Sequence, residues 1–379
     1  MWIPLRYNLR NLRVRALTTL ATALGIALTV GVFVAVMALV EGIRATFVDT
    51  GSPQNVLVLR RGAQTETGSI LDAENVARLR TLGKIESFSA ERIIFFNHTR
   101  TSGGASNVVL RGVGAAGREL RPEVVLLGGR WFEPGRREVT VSRSVAARFT
   151  GLALGDRLVT GNVAWSVVGI FDAGRTAYAS EIWTDASDIG SAFQRFNYSA
   201  VLMRAESRAA AGALVSTIDG DPRLEANAWL EPDYFAEQTK SATPIRIIGN
   251  LVALIMAIGS TFAGMNTMYA AVAHRQREIA VIRALGFSRS SVIASFLIEA
   301  AIVSLLGGII GGFLSLPING IATGTTNWFS FTDMSFAFRI TPALLARGLL
   351  FAIVIGVIGG ILPAIRASAL SPRDAMRAL

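Results

Sequence analysis

The sequence predicts an α-helical membrane protein with four transmembrane helices and an α+β extracytoplasmic domain. Apolar residues make up 51% of the chain and charged residues 17%, and the mean hydropathy is positive at +0.46. This composition differs from that of an ordinary soluble protein. Four long stretches are almost free of charge. The formal charge of +10 lies beside those stretches, because residues 41–245 carry 23 basic and 23 acidic side chains. That location argues against nucleic acid as a partner.

The first uncharged stretch, residues 16–40, exceeds the roughly 20 residues that a helix needs to cross a bilayer. A cleaved signal peptide is the alternative, but this stretch is too long for one and no small-x-small site follows it. The other stretches are residues 247–273, residues 292–316 with Glu299 inside, and residues 343–365 with Arg347 near one end.

Basic clusters set the expected orientation, because Arg and Lys are retained on the cytoplasmic side of short loops. The clusters precede the first span, separate the second from the third, and follow the fourth, so all are cytoplasmic only if there are four spans. The four predicted spans are residues 17–41, 245–273, 290–316 and 343–366. On the cytoplasmic side we expect an interfacial helix at 1–16 with Trp2, Leu5, Leu9 and Leu12, a coupling helix at 274–289 and a tail at 367–379. On the outer side we expect the extracytoplasmic domain at 42–244 and an external loop at 317–342.

The extracytoplasmic domain contains alternating strand-like and helix-like runs, which indicate an α+β fold. Turn signals at Pro134-Gly135 and Gly155-Asp156 surround a β-rich section at about 125–185, which we expect to be a subdomain inserted into a βαβ frame. The strand-like runs are Val56–Leu59, Val108–Val113, Glu138–Val141 and Trp165–Phe171, and the helix-like runs are Asp72–Leu82 and Arg208–Ile218.

Little in this domain points to catalysis. The chain has no cysteine, and its two lysines, Lys84 and Lys240, stand outside any Gly-rich loop followed by Ser or Thr, so it has no Walker A phosphate loop. The external His98 is expected to be a surface residue. The carboxylates are scattered among arginines without a paired motif, so an enzyme based on carboxylates alone stays possible and unsupported.

The cytoplasmic loop between the second and third spans has the pattern of a short surface helix. Ile279 and Ile282 fall on one stripe, Gly286 is placed to end the helix, and Ser288 can cap the next one. Such a helix can transmit force to a soluble partner. It can equally be a stop-transfer segment with extended arginines.

Residues 277–286 read REIAVIRALG, which resembles the REIAVLRALG motif of MacB/FtsX-type ABC transporter permeases. Two later segments resemble the same family in the same order, namely the third span with residues 297–300 and the paired glycines, and the tail with residues 362–367 and 370–377. The match covers about 110 C-terminal residues strongly and the rest by layout.

The resemblance implies a non-catalytic permease subunit of the bacterial inner membrane, with both termini cytoplasmic. It would pair with a second copy or a paralogue and bind a separate cytoplasmic ATPase, which carries ATP and Mg, so no cofactor is expected in this chain. ATPase closure would move the external domains through the second spans, a mechanism called mechanotransmission. The residues implied in ATPase coupling are Arg275, Arg277, Glu278, Ile279, Arg283, Gly286, Pro372 and Arg373.

The same resemblance implies a porter-like frame around the inserted subdomain. Unlike MacB, the chain shows no fused N-terminal ATPase, so a partner is expected to supply the nucleotide chemistry. Membrane lipids are expected neighbours, and use of a periplasmic adaptor stays open.

Glu299 is expected near the middle of the membrane, where a charge is costly unless it is paired or neutral. Asn266 or Thr267 in the second span is the expected partner, and the expected role is structural; ion translocation is the alternative. The glycine pairs Gly307 with Gly311 and Gly308 with Gly312 allow close helix approach, either within one subunit or at a dimer interface.

The sequence favours an ATP-driven exporter or extractor of lipid-linked, lipoprotein, peptide or drug-like cargo. The alternative is an FtsX-like scaffold that controls an external cell-wall hydrolase. A third class, a membrane enzyme or ion-coupled carrier working alone, is supported by Glu299 only.

Overall fold

A computed structural model of the protein describes residues 16–239, 243–326 and 333–369, together with Arg10 and Val14. The predicted interfacial helix at 1–16 lies mainly outside the described residues. Pro372 and Arg373, which were predicted to take part in ATPase coupling, lie wholly outside them. The chain divides into two compact units. We call Met1–Glu41, Pro244–Ile321 and Phe338–Leu379 the membrane unit, and Gly42–Thr243 with Ala322–Ala337 the external domain.

The helices and strands are numbered in chain order. The α-helices of the described chain are α1 (Ala16–Val48), α2 (Ala73–Arg80), α3 (Arg143–Arg148), α4 (Ala186–Phe193), α5 (Arg208–Gly220), α6 (Glu231–Gln238), α7 (Thr243–His274), α8 (Gln276–Ala284), α9 (Arg289–Ser315) and α10 (Pro342–Ala369). The strands are β1 (Asn55–Arg60), β2 (Ile85–Thr99), β3 (Ala105–Val113), β4 (Val125–Gly129), β5 (Glu138–Ser142), β6 (Arg157–Thr160), β7 (Val163–Asp172), β8 (Glu181–Asp185), β9 (Ala200–Ala205), β10 (Ala226–Leu230), β11 (Ala322–Thr326) and β12 (Asp333–Ala337).

Four of these helices, α1, α7, α9 and α10, are long and apolar enough to cross a membrane. Local signals fix several ends of helices where the sequence indicated them. Asp72 accepts a hydrogen bond from the Asn75 N–H at the start of α2. Gly286, at a φ of +93°, follows α8, and Ser288 accepts a hydrogen bond from the Ser291 N–H at the start of α9. Left-handed backbone after a helix favours glycine, and a serine at the N-cap satisfies an otherwise unpaired N–H.

The glycines of α9 pack within the subunit. Gly307 and Gly311 lie directly against the α1 backbone, so that a Cβ on either would meet the carbonyl oxygen of Ala23 or of Ala27. A Cβ on Gly308 would come within 2.9 Å of the Ala352 Cβ in α10. The two glycine pairs therefore let α9 approach α1 on one side and α10 on the other, which is the first of the two roles left open by the sequence.

The external domain is built on one ten-stranded sheet in the order β10-β1-β9-β2-β3-β8-β5-β7-β4, with β6 paired to β7. Strand β2 belongs to both halves of this sheet. Its residues 85–91 pair with β9, and its residues 92–99 pair with β3. The predicted strand-like runs and helix-like runs all lie in or overlap elements of the corresponding type.

Two apolar cores lie on this sheet. The frame core, formed by β1, β9, β10, α2 and α5, includes Val58 and Leu214. The insert core, formed by β3 and β5 to β8 with α3 and α4, reaches from Ile94 to Phe193. The section at 125–185 that was expected as a subdomain lies inside this larger core, because β2 and β3 contribute one wall of it.

The segment between α9 and α10 contains a β-hairpin, β11 with β12, instead of the plain external loop expected at 317–342. This hairpin belongs to the external domain. Asp333 is 3% exposed and accepts hydrogen bonds from Arg148 and, at 2.6 Å, from the Arg100 Nη2. Two guanidiniums therefore fix one buried carboxylate of the hairpin to the turn between β2 and β3 and to α3.

Candidate functional site

Helix α8 presents two different faces. Ile279 and Ala280 are buried, and Ile279 packs in an apolar cluster with residues of α7, α9 and α10. The other face carries the exposed side chains of Arg277 and Glu278, and Val281 is 58% exposed. Leu285, directly after the helix, is 70% exposed. Apolar side chains held beside charges on a fixed helix are typical of a surface that a partner covers.

An ion pair anchors this helix in the membrane unit. Arg275, the residue before α8, donates from Nη1 to the Glu299 Oε2 at 3.0 Å, and both side chains are about nine-tenths buried. Its guanidinium also lies 5.4 Å from the ring centre of Phe296. The expectation that Asn266 or Thr267 pairs with Glu299 is wrong. Asn266 is exposed, and the Thr267 hydroxyl donates to the Ala263 carbonyl.

The pairing of Glu299 has a simple physical reason. A guanidinium directly before α8 can reach a carboxylate inside α9 along its long apolar stem. An amide or hydroxyl would leave the negative charge uncompensated. The contact supports a structural role for Glu299. The Nε of Arg283, another predicted coupling residue, is buried without a hydrogen-bond partner among the described residues.

Helices α1 and α7 are joined by hydroxyl pairs. Thr22 Oγ1 lies 3.1 Å from Thr267 Oγ1, and Thr29 Oγ1 contacts Ser260 Oγ. The pairs are separated by seven residues on both helices and run in opposite directions along the chain, as expected for two antiparallel helices with one continuous contact line.

A buried ionic cluster lies in the external domain at the border of the two cores. Arg111 in β3 is 2% exposed and donates to three carboxylates. The distances are 2.8 Å to Glu66, 2.7 Å to Glu91 and 2.7 Å to Glu181. Arg121 donates to both oxygens of Glu91, at 2.6 and 2.9 Å.

The cluster holds its charges at unusual pKa values. Burial by itself would raise the pKa of Glu91, but the guanidiniums of Arg121 and Arg111 hold it below its ordinary value. Burial would lower the pKa of Arg111, yet its neighbouring carboxylates, Glu181 first, raise it well above the ordinary value. Both groups are therefore ionised throughout the physiological pH range. They fasten the 3-10 turn Glu66–Gly68, β2, β3 and β8 to one another.

Sequence reasoning missed this cluster and considered the carboxylates scattered. One signal could have found it: Arg111 interrupts the apolar run Val108–Val113, and a charge inside a strand buried on both faces needs a buried partner. Among the described residues, no group of three or more His, Cys, Asp or Glu side chains could hold a metal ion. His98 lies in β2 and is half-buried, with Nε2 2.8 Å from the Thr150 carbonyl oxygen.

Two family models match the chain. The model of the MacB-like periplasmic core domain matches residues 19–220, which is more than half of the chain. The model of the FtsX-like permease C-terminal region matches residues 250–372. The first covers most of α1 and most of the external domain, and the second covers α8, α9, α10 and most of α7.

Curated relatives agree with this assignment. The chain is 27% identical over 405 residues to the macrolide export ATP-binding/permease protein MacB of Azoarcus sp. (strain BH72), covering 97% of this chain and 58% of that protein. It is 32% identical over 131 residues to the uncharacterized ABC transporter permease YknZ of Bacillus subtilis (strain 168), covering 35% and 31% of the two chains. The chain thus spans less than two thirds of the length of these relatives.

Among solved structures, the periplasmic region of MacB from Actinobacillus actinomycetemcomitans overlaps with a TM-score of 0.37 at 11% identity, covering 48% of this chain and 90% of that one. The extracellular domain of YknZ overlaps with a TM-score of 0.36 at 16% identity, covering 46% and 99%. With both family models matched in order along its length, this chain belongs to the MacB/FtsX-like family of ABC transporter permeases.

Proposed function

We propose that the protein couples ATP hydrolysis by a separate cytoplasmic ATPase subunit to movement of its external domain, and that this movement exports or extracts cargo outside the membrane. The observation that carries the proposal is the geometry of α8. Its inner face is fixed in the bundle through Ile279 and, next to it, the pair Arg275–Glu299. Its outer face remains accessible to a soluble partner.

The outer face of α8 carries side chains suited to binding a partner protein. Arg277 and Glu278 offer opposite charges that set orientation, and Val281 and Leu285 offer apolar area for a pocket on the partner. Electrostatic complementarity mainly gives specificity, and a few buried apolar anchors provide most of the affinity. We expect Val281 and Leu285 to matter most for binding strength.

The anchored side explains how docking becomes movement. Arg275 connects α8 to Glu299 in α9, and Ile279 packs with Phe296 of α9 and with Ala364 of α10. A displacement of α8 therefore shifts the ends of the spans together, since buried, well-packed contacts are not freely deformable. The helix α1 spans 33 residues, about 50 Å at 1.5 Å per residue, which is more than a bilayer requires.

The proposed assembly contains two permease chains, identical or paralogous, with membrane lipids around them and both termini in the cytoplasm. The basic clusters beside the spans support this orientation. The chain has no native cysteine, so single cysteines at exposed positions, such as Gln276 and Val159, can be labelled in intact cells with a membrane-impermeant reagent. Labelling at Val159 and protection at Gln276 is the expected result, and the reverse pattern would contradict the orientation.

The first experiment is affinity purification of the tagged full chain in detergent, followed by identification of associated subunits and an ATPase assay. We expect an ATPase subunit to co-purify. Changing Arg277 and Glu278 together to alanine should lower its ATPase stimulation, and changing Val281 and Leu285 to serine should abolish co-purification.

The matched control is the exposed ion pair Glu74–Arg78 in α2, with both residues changed to alanine. It removes the same two charge types from an exposed helix elsewhere, and it should leave co-purification and ATPase stimulation unchanged. Failure of the unaltered protein to bring down any ATPase would refute the proposed coupling.

A further inference from the structure

Three separate segments lead from the membrane helices into the external domain, and all three meet at the 3-10 turn Ala177–Ser180. The segments are the end of α1 with the residues after it, α6 ahead of α7, and the hairpin of β11 and β12 between α9 and α10. The turn and the contacting residues all belong to the external domain. We call the turn with these contacts the junction.

The first contact reaches the end of α1. The Ala177 N–H donates to the Thr50 Oγ1 at 2.8 Å. The Thr50 hydroxyl in turn donates to the Thr46 carbonyl at 2.6 Å, within the last turn of α1. Thr50 is fully buried, so no water competes for these bonds and their geometry is fixed.

The second contact reaches α6. The Tyr178 hydroxyl donates to the Glu231 Oε1 at 2.5 Å. The other oxygen of Glu231 accepts from the Ser52 N–H at 2.9 Å and the Asn55 Nδ2 at 2.8 Å. Phe235 of α6 also meets the Tyr178 ring edge to face, with centroids 5.8 Å apart. Tyr178 and Glu231 thus connect the segment after α1 with the segment before α7.

The third contact reaches the hairpin. The Ser335 N–H in β12 donates to the Ser180 Oγ at 2.6 Å. The Ser335 Oγ lies 2.6 Å from the Ser144 Oγ in α3. The hairpin is therefore bonded both to the turn and to the helix beside it.

The turn is also bonded to the insert core. The Ser142 hydroxyl, at the end of β5, donates to the Ala179 carbonyl at 2.5 Å. The Arg121 guanidinium of the ionic cluster lies 4.6 Å from the Tyr178 ring centre. A displacement that reaches the turn is therefore passed into both the sheet and the ionic cluster, because these groups are buried and bonded.

We propose that this junction is where displacements of the membrane helices are combined and passed to the external domain, with Thr50, Tyr178 and Ser180 as positioning residues. The inference rests on the proposed function, since it presupposes that ATPase movement reaches the external domain. The observation that carries it is that three hydrogen bonds leave from one run of four consecutive residues and reach three different membrane-derived segments. The bonded residues are 127, 53 and 155 positions apart in the sequence.

The test uses the full chain in complex with its ATPase, with labels at cysteines introduced for Val159 in β6 and Ile247 in α7, which are 62% and 61% exposed. The distance between the labels is measured with and without ATP and vanadate. The unaltered junction should show a nucleotide-dependent shift. The variants Tyr178→Phe and Ser180→Ala should lose most of this shift while ATPase activity is retained.

The matched control is Thr176→Val, which removes a buried hydroxyl directly before the turn. That hydroxyl donates to the Ala173 carbonyl at 2.7 Å and, within the described part of the chain, makes no hydrogen bond to a membrane-derived segment. The control should keep the shift. Equal shifts in Tyr178→Phe, Ser180→Ala and the control would overturn the inference and leave the proposed function standing. No shift with the unaltered junction, in a complex that hydrolyses ATP, would refute the proposed coupling itself.

A second variant covers the case in which these substitutions prevent folding. Cysteines in place of Ser144 and Ser335, whose hydroxyls are 2.6 Å apart, can form a reversible clamp between the hairpin and α3. Because the inference holds that displacements pass through intact contacts, oxidation should preserve the nucleotide-dependent change in hydrogen exchange of the external domain. Loss of that change on oxidation, with recovery after reduction, would show that the hairpin must separate from α3 and would overturn the inference.

Discussion

Apart from the buried pair Arg275–Glu299 beside α8, the membrane unit holds its buried polar groups differently from the external domain. In the membrane unit, α9 approaches its neighbours at glycines such as Gly307 and Gly311, and α1 meets α7 through neutral hydroxyl pairs. In the external domain, the border between the two cores is occupied by Arg111 and Arg121 with three carboxylates around them, those of Glu66, Glu91 and Glu181. Close backbone approach stabilises the membrane unit, and paired buried charges stabilise the external domain.

The difference follows from the surroundings that each region gives up for its internal contacts, which are lipid for the membrane unit and water for the external domain. Lipid tails are as apolar as leucine, so membrane helices gain from fit and weak hydrogen bonds. A soluble domain can bury charge if every partner is present, but removing one partner is then costly. Removing a single buried charge should therefore strongly lower the stability of the external domain. Adding side-chain volume between helices should lower the stability of the membrane unit.

The largest effect is expected for Arg111→Leu. It leaves Glu66, Glu91 and Glu181 with one guanidinium fewer, and breaking a buried ionic group typically costs about 3 to 5 kcal/mol. Thermal unfolding of the full chain in detergent, followed by the fluorescence of buried Trp165 and Trp183, should show a much lower unfolding temperature of the external domain. The exposed pair Arg143–Asp172 gives the control Arg143→Ala, with a loss of at most about 1 kcal/mol. Equal losses of stability in the two variants would contradict the expected sensitivity of the external domain to the loss of a buried charge.

Acid should act on the same cluster. The folded-state pKa of Glu91 is below its ordinary value of 4.5, so its contribution to stability is fully present above about pH 4.5 and is lost as the pH falls through the lowered value. Tryptophan fluorescence should therefore change in acid before the helical circular dichroism of the membrane unit does. Simultaneous loss of both signals would show that the cluster does not set the acid limit.

A smaller loss is expected when volume is added between α9 and α1. In Gly311→Ala the new Cβ would meet the Ala27 carbonyl, so backbone must shift, at a cost of about 1 to 3 kcal/mol. Gly312→Ala is the matched control, because its nearest neighbour is the Leu345 Cδ2 at 3.5 Å, an ordinary contact. Thermal stability in detergent should fall for the first variant only. A similar midpoint of thermal unfolding for both variants would mean that α9 and α1 can move apart without loss of stability.

The smallest effect concerns the hydroxyl pairs. Double substitution of Thr22 and Thr267 by valine, compared with each single change, should give a coupling energy of about 0.6 kcal/mol, the average for such bonds in membranes. Unfolding in detergent with a graded denaturant measures it. A coupling energy as large as that of a buried charge pair would erase the contrast between the two regions.

Features set by neighbouring residues were predictable from the sequence. The four spans depend on composition over about 20 residues, and the ends at Gly286 and Ser288 depend on single residues with local backbone preferences. Strands such as β1 and β7 followed from apolar runs bounded by turns. The family resemblance rested on the same local segments, above all residues 277–286.

Features that need distant partners were not predictable. Arg275 and Glu299 lie 24 positions apart. The sequence predicted ATPase contact for Arg275 and a partner in the second span for Glu299. Arg111 and Glu181 are 70 positions apart, and only the parallel pairing of β3 with β8 brings them together. Local patterns do not determine such pairing, because loop length and sheet order decide which strands meet.

Strand β2 has a consequence for how this domain can change over evolutionary time. The chain leaves the frame at Glu91 and returns at Ser199, where the Ser199 N–H donates to the Glu91 carbonyl at 2.8 Å. The two ends of the insert are therefore neighbours, and a short hairpin turn would close the frame without it. Modules with adjacent ends can be exchanged or lost as units while the scaffold persists. Relatives can thus keep the frame and vary or lose the insert as a unit.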